Sequence, residues 1–516
     1  MPSIRLSRRQ ILASSLAAGA AGAFGVVPSF GKAQDNVLYV RFDSDIAVLD
    51  PGYMVGGTEI ETQKAVMPSL VEYATMEDGS LGATPTVYCK SFTQRDDLHI
   101  DFELNPGFMW TNGHGELTAD DVKYSFERMK TTDWSGNFEA MERVDVTGTY
   151  TGTIVLSTPF APFPMITLAA GPATILSRKA MEAAGGQFTT EFPATCGPYI
   201  VQWAPQQRMT FLPNPEWTGP APTFSEIRAL IITEDRAAEL AFEAGEVACT
   251  EITAATVARY GDNPPAGSAI RVAGALQYMW MGMNTEHPKL SDIRVRQAIQ
   301  HAIDVDSVIQ GAYSGTTEKS NGIVCPGLVG HRTSTKYSYD PEKAAALLEE
   351  AGVSGLELEL KTLNVQERIL AAQIIQANLG AVGITASVIP VDSGPFWEMG
   401  SEAAGEQWKD LQLWIMRYGT NPDPYECTQW FRRDQVGVWN WERWSDDEFE
   451  ALYLEGLSET DANRRHEIYL RMQEIMEDTG AYVWINHEPE TFIYRDDLAI
   501  DVYPSGEMDL RDFRSA

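Results

Sequence analysis

Between residues 340 and 391 the sequence reads helix, strand, helix, strand, and no other feature narrows the fold as far. Asp340 and Pro341 open a helix, the aspartate as cap and the proline in the first turn. The helix runs through Ala344, Leu347 and Leu348 and stops at Gly352. Leu356, Leu358 and Leu360 then alternate with Glu357 and Glu359, the period of a half-buried strand. Residues 369–382 read as a further helix and 384–391 as a further strand. Strands separated by helices imply a mainly parallel sheet, so the fold class expected is α/β. A mature length of ~480 residues exceeds what one hydrophobic core usually serves, so two or three domains are expected.

The ends and the charge narrow the class. Ser7-Arg8-Arg9-Gln10-Ile11-Leu12 is a twin-arginine pattern, followed by an Ala- and Gly-rich apolar run to about Val27. Gly31-Lys32-Ala33 fits a signal peptidase site, so residues 1–33 read as a leader handled by the twin-arginine export machinery. No cysteine lies near the cut, and no later stretch is apolar over the ~18 residues of a membrane span. An exported, soluble periplasmic chain is expected. The net charge is −33. The leader holds Arg5, Arg8, Arg9 and Lys32 and no acid, so the mature chain is more negative still. Such a field argues against nucleic acid, which needs clustered Lys and Arg, and against an anionic membrane surface. The five cysteines, Cys89, Cys196, Cys249, Cys325 and Cys427, form no CxxC. Export permits one or two disulfides and leaves at least one thiol over. The seven histidines are dispersed, with no pair at ligand spacing, so no metal site and no cofactor is expected.

Residues 292–304, DIRVRQAIQHAID, form the most recognisable segment. Asp292 caps a helix in which Val295, Ile299, Ala302 and Ile303 make one apolar face, with Arg294 and Arg296 off it. With Asn284-Thr285 ahead of it, this run resembles the family 5 extracytoplasmic solute-binding proteins, the large receptors of ABC importers for peptides, nickel, opines and oligosaccharides. A second run, LNPGFMWTNG followed by ELTADDVKYSFER, resembles the family's signature for its additional domain, with Thr118 and Asp121 as a capping box. Cys196-Gly197-Pro198-Tyr199 with Trp203, then FLPNPEW at 211–217 and a helix at 236–247, continue the likeness. Ser445 to Glu448 reads as another capping box, ahead of a long C-terminal helical region. The resemblance implies two α/β lobes joined by a hinge, plus an extra domain. It places lobe I at 34–75, 195–275 and 490–516, the extra domain at 76–194 and lobe II at 276–489.

The resemblance also implies a site. Residues 411–416 read as a strand that leaves by a Gly/Asn/Pro turn, and loops at strand ends bind ligands in α/β clefts. Arg417, Tyr418, Thr420, Asn421 and Asp423 are the candidates there. Peptide-binding members place an aspartate, which pairs with the ligand's ammonium, where this chain has Thr420, and a tryptophan where it has Arg417. Threonine is a weaker partner for an ammonium, and the guanidinium fork suits a carboxylate. An anionic or polyhydroxylated solute is therefore one expectation. The other is that Asp423 takes the aspartate's place and Arg417 points to solvent. Trp280 and Trp397 offer aromatic faces, and Gly57 and Thr58 match ligand-touching positions of dipeptide-binding relatives. The function implied is capture of a small organic solute and delivery to ABC permease subunits, without turnover, by a monomer. An exported hydrolase is the rival class, but Gly-x-Ser-x-Gly is absent. A receptor of the same fold used for sensing would look identical in sequence.

Overall fold

The computed structural model describes residues 36–516, apart from Val55, Asp78, Asp262, Ala275 and Pro504. The leader and its arginine pair lie outside the described residues. Lobe I is built on two sheets. In the first, Val37–Phe42 pairs in parallel with Glu226–Ile231, and Arg208–Pro213 and Tyr199–Ala204 follow antiparallel. In the second, Thr491–Arg495 runs between Cys249–Glu251 and Ser268–Val272, antiparallel to both. The extra domain is a four-stranded antiparallel sheet, Cys89–Asp96, His99–Leu104, Thr151–Leu156 and Met141–Val146, with the helix Ala119–Met129 beside it. Its Val122, Phe126 and Met129 are buried, and Thr118 and Asp121 close the capping box at its start. Lobe I and the extra domain share one continuous apolar core.

Lobe II carries a six-stranded sheet in the order Glu318–Lys319, Tyr482–His487, Gln277–Met283, Leu413–Gly419, Glu357–Leu363, Thr385–Val391. An apolar core lies on each face. The expected helix–strand alternation is present: Pro341–Glu350, Glu357–Leu363, Gln366–Ala381 and Thr385–Val391. The sheet is mixed, however, not mainly parallel. Glu357–Leu363 is parallel to both its neighbours, but Gln277–Met283 is antiparallel to both of its own. Its neighbours Leu413–Gly419 and Tyr482–His487 run towards the lobe I junction that it leaves, so only the helix-linked strands obey the parallel rule.

Four local expectations are corrected. The 292–304 helix spans Ile293–Ala302, capped by Asp292, and a separate helix capped by Asp304 starts at Val305. Arg296 is not off the packed face. It is buried, and its guanidinium donates to the carbonyls of Leu290 and Thr479. The cap at 445–448 is Asp446, whose carboxylate accepts from the Phe449 N–H, so Ser445 lies one residue too early. The strand expected at 411–416 is Leu413–Gly419, which places Arg417 and Tyr418 inside the sheet. All five cysteines are buried and unbonded.

The chain crosses between the lobes twice, from Val272 to Gln277 and from His487 to Thr491. The crossings are tied together. Ala273 N–H donates to the Glu490 carbonyl at 2.8 Å, and the Gln277 amide donates to the Glu490 carboxylate.

Candidate functional site

Two neighbouring cavities of about 310 and 340 Å³ share Glu251 and Glu490 in their linings. The first sits in lobe I. Strand Val37–Phe42 brings Arg41 to it, and the helix Gly57–Val66 brings Gly57, Thr58 and Glu61. The second spans the lobes. Ile252 and Val257 come from lobe I; Tyr313, Leu363, Arg368, Trp397 and Arg417 come from lobe II. Leu363 ends its strand and Arg417 lies near the end of Leu413–Gly419, so the cavity opens at the carboxyl ends of two lobe II strands. That is where open α/β sheets receive ligands.

Of the residues expected at the site, Gly57, Thr58, Trp397 and Arg417 line this cleft. Thr58 is buried, and its hydroxyl lies 2.8 Å from that of Ser44 and 3.1 Å from the Asp43 carboxylate. Arg417 Nη1 donates to Glu488 Oε2 at 2.7 Å, and Arg368 Nη2 lies 3.0 Å from Glu488 Oε1. One nitrogen of the fork expected to meet an anion is therefore on a carboxylate, and the side chain is 44% exposed.

Tyr418 follows Arg417 along the strand, so its side chain takes the opposite face. Its ring packs edge-on with Trp280, tilted at 39° to Phe431, and nearly parallel to Trp397 at 6.4 Å between centroids. Trp280 is fully buried, and its Nε1 donates to Glu442 at 2.7 Å. Thr420, Asn421 and Asp423 do not line the cleft. The Thr420 hydroxyl donates to the Asn421 carbonyl, and the Asn421 amide donates to Glu426. Asp423 caps Pro424–Gln429 through the Tyr425 N–H and takes both arms of Arg465 at 3.0 Å. The side chains of the turn are thus taken up within the loop and by the helices behind it, and the Thr420 N–H donates to the Leu276 carbonyl.

The residues that sequence reasoning missed are charged groups buried in the cavity wall: Arg41 in an apolar strand, Glu251 at a strand end, Glu61 in a helix and Glu490 in an interlobe crossing. Arg41 is 3% exposed, donating to the Ile232 carbonyl at 2.9 Å and to Asp235 at 2.7 Å. Its Nη1 lies 3.7 Å from Glu251 and makes no hydrogen bond. Burial, with Glu490 beside it, pushes the Glu251 carboxyl up to about 8. Burial raises Glu61 and Glu490 as well. A lone arginine in VLYVRF was the readable signal, because a strand interior tolerates a charge only with a partner. Among the described residues no group of three His, Cys, Asp or Glu is arranged to hold a metal ion, and no helix is long and apolar enough to cross a membrane.

A family model described as bacterial extracellular solute-binding proteins, family 5 Middle, matches residues 84–437. The chain belongs to that family. The family 5 assignment makes it the substrate-binding component of an ABC importer. It is similar to the dipeptide-binding protein of Escherichia coli K12, 26% identical over 473 residues, covering 85% of this chain and 86% of the relative. It is also similar to the probable D,D-dipeptide-binding periplasmic protein DdpA of the same organism, 26% identical over 499 residues, covering 93% and 92%. Among solved family 5 structures, NikA from Brucella suis in complex with Fe(III)-EDTA superposes with a TM-score of 0.78 at 21% identity, covering 93% of this chain and all of that one.

Proposed function

We propose that the chain is exported as a soluble periplasmic monomer and captures a small organic solute between its lobes, at Gly57, Thr58, Trp397, Arg417 and their neighbours. Lobe I is read as 34–75, 195–275 and 490–516, lobe II as 276–489, and 76–194 as a domain that travels with lobe I. Closure about the two crossings buries the solute, and the closed form is what the permease subunits recognise. The observation that carries this reading is a cavity lined from both lobes, sharing Glu251 and Glu490 with a second cavity in lobe I, at the junction through which the chain passes twice. No nucleophile or metal is required of such a site, so the reading is one of binding without turnover.

The relatives' names speak of dipeptides, and the Brucella structure holds a metal chelate. Both are compact solutes of a size these cavities admit. One arm of the Arg417 fork meets Glu488 and the side chain remains 44% exposed, so an anionic solute stays the second reading of this end of the cleft. The test is small-angle scattering and tryptophan fluorescence of the mature chain with a solute library. Binding should contract the molecule, and Trp397→Ala should weaken it on the order of tenfold or more, as truncating a central aromatic anchor does. Ligand binding without contraction, or indifferent to Trp397, would refute the cleft as the site.

A further inference from the structure

Among the described residues that line the lobe I cavity, one buried side-chain nitrogen is without a hydrogen-bond partner, and it is Arg41 Nη1. The other two nitrogens of that guanidinium are engaged. Nε donates to the Ile232 carbonyl at 2.9 Å and Nη2 to Asp235 at 2.7 Å. These bonds fix where Nη1 stands. A buried donor left unmade costs free energy that an acceptor brought into the cleft returns. Glu251 Oε2 lies 3.7 Å from Nη1, beyond hydrogen-bond reach. Glu251 ends its strand with its side chain 37% exposed, so it can turn outwards to admit a group beside Nη1. The acids around the pair have partners of their own. Glu61 accepts the Met508 N–H at 2.7 Å, Asp43 the Thr58 hydroxyl at 3.1 Å, and Glu490 the Gln277 amide.

We propose that the solute carries an uncharged amide whose oxygen and N–H lie on the same side, as in a primary carboxamide, a lactam or a urea, and that it docks with the oxygen on Arg41 Nη1 and the N–H on Glu251 Oε2, its organic body lying towards Trp397. This rests on the reading of the cleft as the solute site. An ammonium would serve the acids and leave the Arg41 donor unanswered. A carboxylate would answer that donor, but Asp235 already balances the guanidinium, and Asp43, Glu61, Glu490 and Glu507 line the same cavity. A trans peptide bond turns its oxygen and its N–H to opposite sides, so it meets one member of the pair and not both.

The pair is held by the lobe I framework. Arg41 and Glu251 ride on the strands Val37–Phe42 and Cys249–Glu251, and these meet where the Ala248 N–H donates to the Tyr39 carbonyl at 2.7 Å. Donor and acceptor therefore keep their spacing whichever way lobe II stands. The amide head is read by lobe I alone, and lobe II adds Trp397 to the body of the solute on closing. Glu251 offers an acceptor oxygen whether ionised or protonated, so the pairing serves in either state. Arg41 and Glu251 are thus the residues that select among solutes at this end of the cleft.

The probes share a phenyl body and differ in the head: 3-phenylpropionamide, its N-methyl amide, 3-phenylpropionate and 3-phenylpropylamine. Each is titrated at millimolar concentration into the mature chain by ligand-observed NMR. The N-methyl group replaces the hydrogen beside the carbonyl, so it keeps the acceptor and removes the donor. The primary amide should bind about tenfold or more tighter than each of the others, the effect of one hydrogen bond to a charged group. Arg41→Lys keeps a charge for Asp235 and loses the fork, and should cost the primary amide about tenfold. Glu251→Ala, at a partly exposed strand end, should melt as the parent does and bring the primary amide level with its N-methyl form; it carries the test if Arg41→Lys does not fold. The proposal is overturned if any other head binds as tightly as the primary amide, if Glu251→Ala binds the primary amide as well as the parent does, or if all the probes are silent. Trp397→Ala separates the two readings. A preferred carboxylate or amine that it weakens would keep the cleft and discard the amide. Binding indifferent to it and to Glu251→Ala would discard both.

Discussion

At the scale of single residues, the molecule separates charges that serve the cleft from charges that serve the fold. Asp423 stands where recognition of a ligand was one expectation, yet it is 3% exposed and bound by both arms of Arg465. Removing one partner of a buried pair leaves the other uncompensated, at a cost of about 3–5 kcal/mol. Asp423→Asn should therefore lower the urea midpoint sharply while leaving the affinity of the folded protein nearly unchanged. A lost affinity with an unmoved midpoint would restore Asp423 to the site. Glu442 makes a different case. It is fully buried beneath Trp280, and burial pushes its carboxyl up to about 8. Its folded value thus lies above its unfolded one, near 4.3. The folded state holds the proton more tightly, so this group's contribution is intact at low pH and is lost as pH rises through the window between the two values. Glu442→Gln should remove that loss, on the order of 3 kcal/mol between about pH 5 and about pH 8, in unfolding titrations at the two pH values. An unchanged slope of stability against pH would show that Glu442 ionises as freely folded as unfolded.

At the scale of elements, the sequence motifs turn out to be packing instructions. The Cys196-Gly197-Pro198-Tyr199 run crosses the end of the helix Gly57–Val66, and the N–H groups of Cys196 and Gly197 both donate to the Val66 carbonyl. A Cβ on Gly197 would stand 2.6 Å from the Val66 carbonyl carbon and 2.8 Å from the Ala65 oxygen. Backbone cannot swing aside as a side chain can, so Gly197→Ala should destabilise by about 3 kcal/mol, read as a lowered melting temperature. A parent-like melt would mean that the helix end yields. The 293–302 helix was legible from its cap and apolar period, as were the strand at 37–42 and the alternation after 340. Legibility stopped where an element's fate depends on distant partners. The antiparallel course of Gln277–Met283 is set by strands over a hundred residues away. The burial of Arg296 is set by the Thr479 carbonyl, and the commitment of Asp423 by Arg465. The acidic end of the cleft is likewise assembled from three remote segments, each unremarkable in its own stretch of sequence.

At the scale of the whole molecule, one continuous apolar core runs through lobe I and the extra domain, and two others lie on the faces of the lobe II sheet, which fits the proposed division into two bodies. These bodies also touch away from the cleft. Phe160 of the extra domain meets the Tyr425 ring edge-on at 5.4 Å, and the neighbouring Ala161 N–H donates to the Leu457 carbonyl at 2.7 Å. The opening proposed above would slide or part this contact. An aromatic pair adds about 0.5–1.5 kcal/mol, so Phe160→Ala should speed solute release by up to about tenfold in stopped-flow displacement, with little change in melting temperature. An unchanged release rate would mean that the contact persists in the open form. The cysteines have a practical consequence at this scale. All five are buried, and burial holds each thiol above its usual range, far from the thiolate that reacts. A maleimide dye should therefore ignore the native chain and find only cysteines introduced on purpose. With one at exposed Leu240 on lobe I and one at exposed Leu454 on lobe II, the receptor becomes a single-molecule ruler for its own opening, and, calibrated, a sensor for its solute in crude extracts.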